Sequence, residues 1–235
     1  MTQLFFSDYE IETAEAGLPL VIFGAGGLGR EVLLLLRQLN ETFPTWDVRG
    51  FYDDQAPATP TVAGLPDLGT AADLNATTEP LAVAVAVGSP TGRAAVVARL
   101  GSALLSFPVL VHPRVALAPP QRIALGEGCI IQQGCILTCD IVLGRFVLLN
   151  LGCTVGHDSV LDDFCSLMPH ANVGGTVALG PGVYLGTNAT IIQGVRVGAN
   201  TIVGAGAVVV RDLPANITAV GVPAKSVKNE GIRIA

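Results

Sequence analysis

The chain has 235 residues, with 13 Lys and Arg against 19 Asp and Glu and a net charge of −6; it lacks the basic footprint a phosphate backbone requires, which argues against nucleic acid as a partner. Half the residues are hydrophobic, so a packed core is assured, yet no apolar run approaches the ~18 residues of a membrane span, so no membrane partner is expected. Met1–Gly17 carries Asp and Glu in place of a signal peptide's basic start, and the five cysteines follow no CxxC spacing, which argues against a zinc or redox metal site. The simplest setting is cytoplasmic, with reduced thiols.

In chain order, Met1–Gly17 gives no structural signal and reads as an N-terminal extension. Leu18–Phe23 is a short apolar strand running into Gly24-Ala-Gly26-Gly27-Leu-Gly29, a GxGxxG. A helix is expected from Arg30 to Leu39, with Val32, Leu33, Leu36 and Leu39 on its apolar face. Strands are expected at Val48–Tyr52, Leu81–Val87 and Phe107–Val111, and a second helix at Thr91–Leu100. Strands alternating with helices predict a parallel sheet, so residues 18–112 form a Rossmann-like α/β domain. A glycine loop opening a helix is a ready phosphate site, because free N–H groups and the helix dipole converge there. Dinucleotide binding, with Asp53 or Asp54 on the ribose, is one reading; glycines serving close strand–helix packing is another. The unit is about half the size of a full dinucleotide fold and leads into no separate substrate domain.

Residues 113–235 are a different object. Stepping by six from Leu125 gives Ile131, Leu137, Leu143, Leu149, Val155, Leu161, Leu167, Val173, Leu179, Leu185, Ile191, Val197, Val203 and Val209, without a slip. Glycine often follows the aliphatic, and the chain's 28 glycines exceed the usual share of ~7 %. The residue four after the aliphatic is small or β-branched: Cys129, Cys135, Ile141, Val147, Cys153, Ser159, Cys165, Ala171. Six is neither one nor two helical turns, whereas short strands joined by sharp corners fit it. The aliphatic points inward, the small residue fills a corner, and three hexads close a triangular coil. Coils stack about 4.8 Å apart, and five would make a prism of roughly 24 Å. Four cysteines then have a packing role; Cys139 is off the pattern. Ile130, Ile136, Val142 and Leu148 are expected to face outward, a charge-poor surface too apolar to stand alone.

Of the three histidines, His112 lies at the domain junction and His170 in another hexad turn. His157 sits in the turn Gly156-His157-Asp158, from which a side chain can project. An imidazole, with a reference pKa near 6.5, can take a proton at neutral pH, and a neighbouring carboxylate can fix its tautomer. One 18-residue coil beyond His157 lies Gly175, roughly 5 Å away on the same side, where a backbone N–H could meet an oxyanion. Further coils bring Gln193 and Arg211 to the same edge.

The second half resembles the left-handed parallel β-helix of the hexapeptide-repeat acyltransferases, over Leu125 to about Lys228. The whole order resembles the NeuD/PglD family of bacterial sugar acyltransferases. The shared pieces are Val21-Ile-Phe-Gly-Ala-Gly-Gly-Leu-Gly-Arg-Glu-Val32, Gly50-Phe-Tyr-Asp-Asp54, Gly88 through Arg93, Val111-His-Pro113, Asn150, Val155-Gly-His-Asp158, Gly204 through Pro214 and Gly221-Val-Pro-Ala-Lys225. The resemblance implies an acetyl-CoA-dependent acetyltransferase that modifies an amino or hydroxyl group of a sugar, with His157 as general base supported by Asp158. It places Gly175 at the acyl oxygen, and Gly221, Pro223 and Lys225 by the adenine end of coenzyme A. The pantetheine arm would pass Gln193 and Arg211. A nucleotide-linked sugar would lie on Gly24, Gly26, Gly27, Asp53 and Asp54, and Asn150 would meet the sugar or a neighbouring chain. Several N-acetyltransferases of the family carry a histidine at the acyl group where this chain has Ser166, which weakens the case for an amine over a hydroxyl acceptor. The resemblance also implies homotrimers with sites between subunits. Other acceptors, such as sialic acid, and a non-catalytic trimeric scaffold are the alternatives.

Overall fold

The structure, a computed structural model, describes residues 17–55 and 57–227 and the backbone of Leu4–Phe5. Most of the expected N-terminal extension, Ala56 and the chain end from Lys228 therefore lie outside the described residues.

The hexad repeat folds as its period requires. From Ala124 to Val209 each hexad contributes a two-residue strand whose second residue is the inward aliphatic, and all of these aliphatics are buried. Parallel pairing joins residues 18 apart, as in Thr154 with Asn172 and Val155 with Val173. Three sheets of six, eight and five strands form the faces. The corners have one conformational device in common. Every sixth residue from Arg122 to Gly206 has a positive φ, which turns the chain sharply. Glycine, Asn and Asp fill most of these positions because they adopt the left-handed region at low cost.

The corner cysteines Cys129, Cys135, Cys153 and Cys165 are buried, as the packing reading requires. Burial pushes the Cys129 and Cys165 thiols up to about 12, which leaves them unreactive. Cys139 is half-buried at another position.

The first domain is a parallel sheet of Trp46–Tyr52, Leu18–Phe23, Leu81–Val85 and Leu105–Ser106, in that order. Its helices are α1 (Gly27–Thr42), α2 (Ala71–Asn75) and α3 (Pro90–Arg99). Of the strand expected at Phe107–Val111 only Leu110–Val111 forms one, and the last strand of the first domain lies just before the expected start. Leu105–Ser106 closes this sheet, while Leu110–Val111 pairs with Ile130–Ile131 and starts the eight-stranded face of the prism.

That face is where the expectation for the surface fails. Ile130 and Leu148 are buried, because the first domain sits on them: they share a core with Leu20, Ile22 and the inner side of α1. Ile136, on the five-stranded face, is 60 % exposed, and Val142 is half-buried. His112 is also part of the junction. Its Nδ1 accepts from the Arg114 N–H and its Nε2 meets Gln38 Oε1 of α1 at 3.1 Å. Burial, and after it the Arg114 charge, lowers its pKa.

Arg93 joins the domains most directly. Its buried guanidinium donates to the carbonyls of Val87 and Gly88 in its own domain, and to those of Phe146, Phe164 and Cys165 on two successive coils of the prism. Phe146 and Phe164, one coil apart, stack beside it with ring centroids 5.3 Å apart.

Candidate active site

His157 projects from the turn that follows the strand Thr154–Val155 of the five-stranded face, and its side chain is half exposed. Asp158 occupies the left-handed corner position, with φ 58°. Asp is among the residues that tolerate this backbone, and here it brings Oδ2 to 2.7 Å from His157 Nδ1. An ionised carboxylate only accepts, so Nδ1 donates to it, and in the neutral ring that tautomer leaves the lone pair on Nε2.

Nε2 lies over Gly175. A Cβ placed on Gly175 would stand 2.6 Å from Nε2 and 2.7 Å from Cε1, so the ring occupies the space a side chain would need. The coil register brings the pair together, and the Thr176 N–H donates to the His157 carbonyl at 2.6 Å. Among the described residues nothing accepts from the Gly175 N–H. A basic nitrogen and an unused backbone donor therefore meet on one edge, as the transfer of an acyl group requires.

Ser159 fixes this turn, and sequence reasoning took it only as corner filler. It is fully buried; its Oγ donates to the Gly174 carbonyl at 3.0 Å and accepts from the Val177 N–H at 3.2 Å. The signal was available: from Cys129 to Ala207 the corner series is Cys, Ile, Val and Ala except for two hydroxyls, Ser159 and Thr201.

Gln193 and Arg211 follow Gly175 at the same offset in the next coils, both exposed. The loop from Gly221 to Lys225 folds back onto this end. The Val208 N–H donates to the Gly221 carbonyl, and the Ala224 N–H to the Val208 carbonyl. Pro223 follows a cis peptide, and Lys225 opens the exposed strand Lys225–Val227. His157, Gly175, Gln193 and Arg211 thus form one continuous edge, and the loop lies on Val208, in the last strand of the five-stranded face that leads to it.

Two residues proposed for the same chemistry are elsewhere in the chain. Ser166 belongs to the eight-stranded face and is fully buried; its hydroxyl donates to Gly88 O at 2.8 Å and accepts from Arg93 at 2.8 Å. It is bound into the domain junction and does not reach the His157 edge. Asn150 lies at the corner between the eight- and five-stranded faces, one prism edge away from His157, with its Oδ1 on the Leu151 N–H.

In the first domain the glycines divide. Gly24 has φ +112°, and a Cβ on it would meet the Ala86 carbonyl oxygen at 2.6 Å; one on Gly29 would meet Gly24 O at 1.9 Å. These two are explained by packing. Gly26 and Gly27 are not, since a Cβ on either would meet nothing within 4 Å. They leave the start of α1 uncovered, and that helix has no side-chain cap and no acidic residue in its first turn. Asp53 reaches this loop, accepting from the Ala25 N–H at 2.8 Å. Asp54 turns to α2 and α3, accepting from Ala71 N–H and pairing with Arg99 at 2.6 Å, which lowers its pKa.

Comparison with known proteins agrees with both halves. Residues 19–100 match the profile of the PglD N-terminal domain. A perosamine N-acetyltransferase from Caulobacter crescentus, solved as a His-to-Asn variant with CoA and GDP-perosamine, is 33 % identical over 93 % of this chain and 100 % of its own, with a TM-score of 0.79. The chain belongs to the NeuD/PglD family of sugar acyltransferases. Its fold is accordingly a Rossmann-like domain followed by a left-handed parallel β-helix, and it is an acyltransferase that draws on an acyl-CoA. The acetyltransferase domain of PglB from Neisseria gonorrhoeae is 30 % identical, over 89 % of this chain and 99 % of its own, with a TM-score of 0.80. WeeI from Acinetobacter baumannii is 28 % identical over 89 % of this chain and 100 % of its own, also at 0.80. No curated protein sequence matches the chain. No helix among the described residues is long and apolar enough to cross a membrane.

Proposed function

We propose that the protein transfers acetyl from acetyl-CoA to an amino group of a nucleotide-linked sugar, with His157 as the general base. The observation that carries this reading is the position of His157 Nε2 over Gly175 while Nδ1 is held by Asp158. As the sugar nitrogen attacks the thioester carbonyl, Nε2 takes its proton. The oxyanion that forms accepts from the Gly175 N–H, and the C–S bond then breaks. The imidazolium, stabilised by Asp158, returns the proton to the departing thiolate, so no charge is left over. An amine is favoured over a hydroxyl by the perosamine N-acetyltransferase that this chain resembles.

The sugar's nucleotide would place its diphosphate at the uncovered start of α1, over Gly26 and Gly27, with Asp53 beside it. Gly24 shapes the loop without touching the ligand. Asn150 would act across a subunit boundary, because within one chain it is a prism edge away from His157. A homotrimer that joins these edges would also cover Ile136 on the five-stranded face, 60 % exposed in the single chain. The setting is cytoplasmic, where acetyl-CoA and nucleotide sugars are made.

Thiol release from acetyl-CoA tests the reading, with UDP-, GDP- and dTDP-linked amino sugars offered in parallel. At least one should give turnover well above hydrolysis, with the acetyl group on nitrogen by mass spectrometry. Binding of acetyl-CoA without turnover on any amino sugar, and turnover on a sugar hydroxyl in its place, would overturn the amine assignment. Sedimentation of the full chain as a monomer at assay concentration, with full activity, would overturn the shared site.

A further inference from the structure

One left-handed corner of the prism carries a side chain branched at Cβ, as none of the others does. Among the described residues in the left-handed region, Thr176, at φ 58°, is the single β-branched residue. Branching at Cβ crowds the following carbonyl in this conformation, which is why Gly, Asn and Asp hold most of the equivalent corners. Strain of this kind persists only where something else selects the residue, and it concentrates at functional sites.

The location agrees. Thr176 directly follows Gly175, stands one coil beyond Asp158, and gives its N–H to the His157 carbonyl. Its side chain is exposed, and its hydroxyl has no hydrogen-bond partner among the described residues. The corner one coil further is Gly194, where a Cβ would meet nothing within 4 Å. The edge is therefore open from Thr176 over Gly194 toward Arg211.

We propose that Thr176 is a binding residue for the acyl donor: its hydroxyl donates to an amide carbonyl of the pantetheine arm as the arm leaves Gly175 and crosses the open corner at Gly194. This rests on the acyl-CoA reading above. A pantetheine arm carries two secondary amides, and each needs a partner when the arm leaves water for a protein surface. The strained threonine supplies a short hydroxyl at the first place beyond the thioester where one could be used.

Isothermal titration of CoA into the full-length protein separates the roles of the residue. Thr176→Val keeps the branching and removes the hydroxyl, and should bind CoA about two- to tenfold more weakly, the return of one hydrogen bond. Thr176→Ser keeps the hydroxyl and removes the branching, and should bind within about twofold of wild type. In turnover, the valine change should appear in the KM for acetyl-CoA more than in kcat. Equal CoA affinity of Thr176→Val and wild type overturns the proposal, as does an equal loss in the valine and serine variants. If Thr176→Val does not fold, Thr176→Ala takes its place with the same expectation. Folded wild type that binds no CoA would defeat the acyl-CoA reading itself, an outcome distinct from loss in the valine variant alone.

Discussion

His157→Ala should lower kcat by about 10²- to 10⁴-fold, the usual worth of a positioned general base, while CoA binding and the melting temperature stay near wild type. The stability half of this expectation comes from exposure: the ring is half open to solvent and holds up no part of the core. Gly175→Ala is the sharper test of the geometry. Its new Cβ would be 2.6 Å from Nε2. The ring is the flexible partner in that clash, so the fold survives while the imidazole swings off the Gly175 edge and off Asp158. A loss of about 10²- to 10³-fold in kcat is expected from the displaced base, since the backbone N–H at 175 is itself retained. The two changes disable one unit, so the double variant should be little worse than His157→Ala alone. Near-normal turnover in Gly175→Ala would show that the ring is not poised where the structure has it. Multiplicative losses in the double variant would show that base and glycine act separately.

The prism was legible because its physics is one-dimensional. An aliphatic every six residues can be satisfied by a three-sided coil and not by a helix, and the 18-residue register then follows by counting. Counting alone placed Gly175 beside His157, and Gln193 and Arg211 beyond it. What counting could not give is which face another domain covers. Ile130 and Ile136 look alike in sequence, yet one is buried under α1 and the other is 60 % exposed. Ser166, which the resemblance set at the acyl group, went astray for the same reason: it points outward on a face that the first domain covers, and so into the junction. The glycine loop was half legible. GxGxxG marks the turn, but only the space around each Cα separates Gly24 and Gly29, which packing demands, from Gly26 and Gly27, which it does not. Asp53 and Asp54 were equivalent as letters and are divided by their partners, the Ala25 N–H and Arg99.

Arg93→Met should destabilise the protein by about 3–5 kcal/mol, the cost of breaking a buried, hydrogen-bonded ionic group. For a chain of this size that is a fall of very roughly 6–20 °C in melting temperature. Arg93 is 2 % exposed, and among the described residues no carboxylate is within its hydrogen-bond reach; its charge is held by main-chain carbonyls and the Ser166 hydroxyl. Burial lowers its pKa to about 10, which still leaves it protonated in both folded and unfolded chains near neutrality. Its contribution should therefore be flat with pH between about 6 and 8, and the stability gap to Arg93→Met constant over that range. Methionine fills the volume but leaves the Phe146 and Phe164 carbonyls without their donor at the domain junction. Arg93→Lys should recover little of the loss, because one ammonium cannot span oxygens on separate coils as a planar fork does. Ser166→Ala removes two hydrogen bonds, one to Gly88 and one from Arg93, and should cost about 1–2 kcal/mol, less than Arg93→Met. Thermal melts of the three variants give the ranking. If Arg93→Met melted within about 2 °C of wild type, the guanidinium would not be what fastens the first domain to the prism, and the apolar contacts of Ile130 and Leu148 would have to suffice.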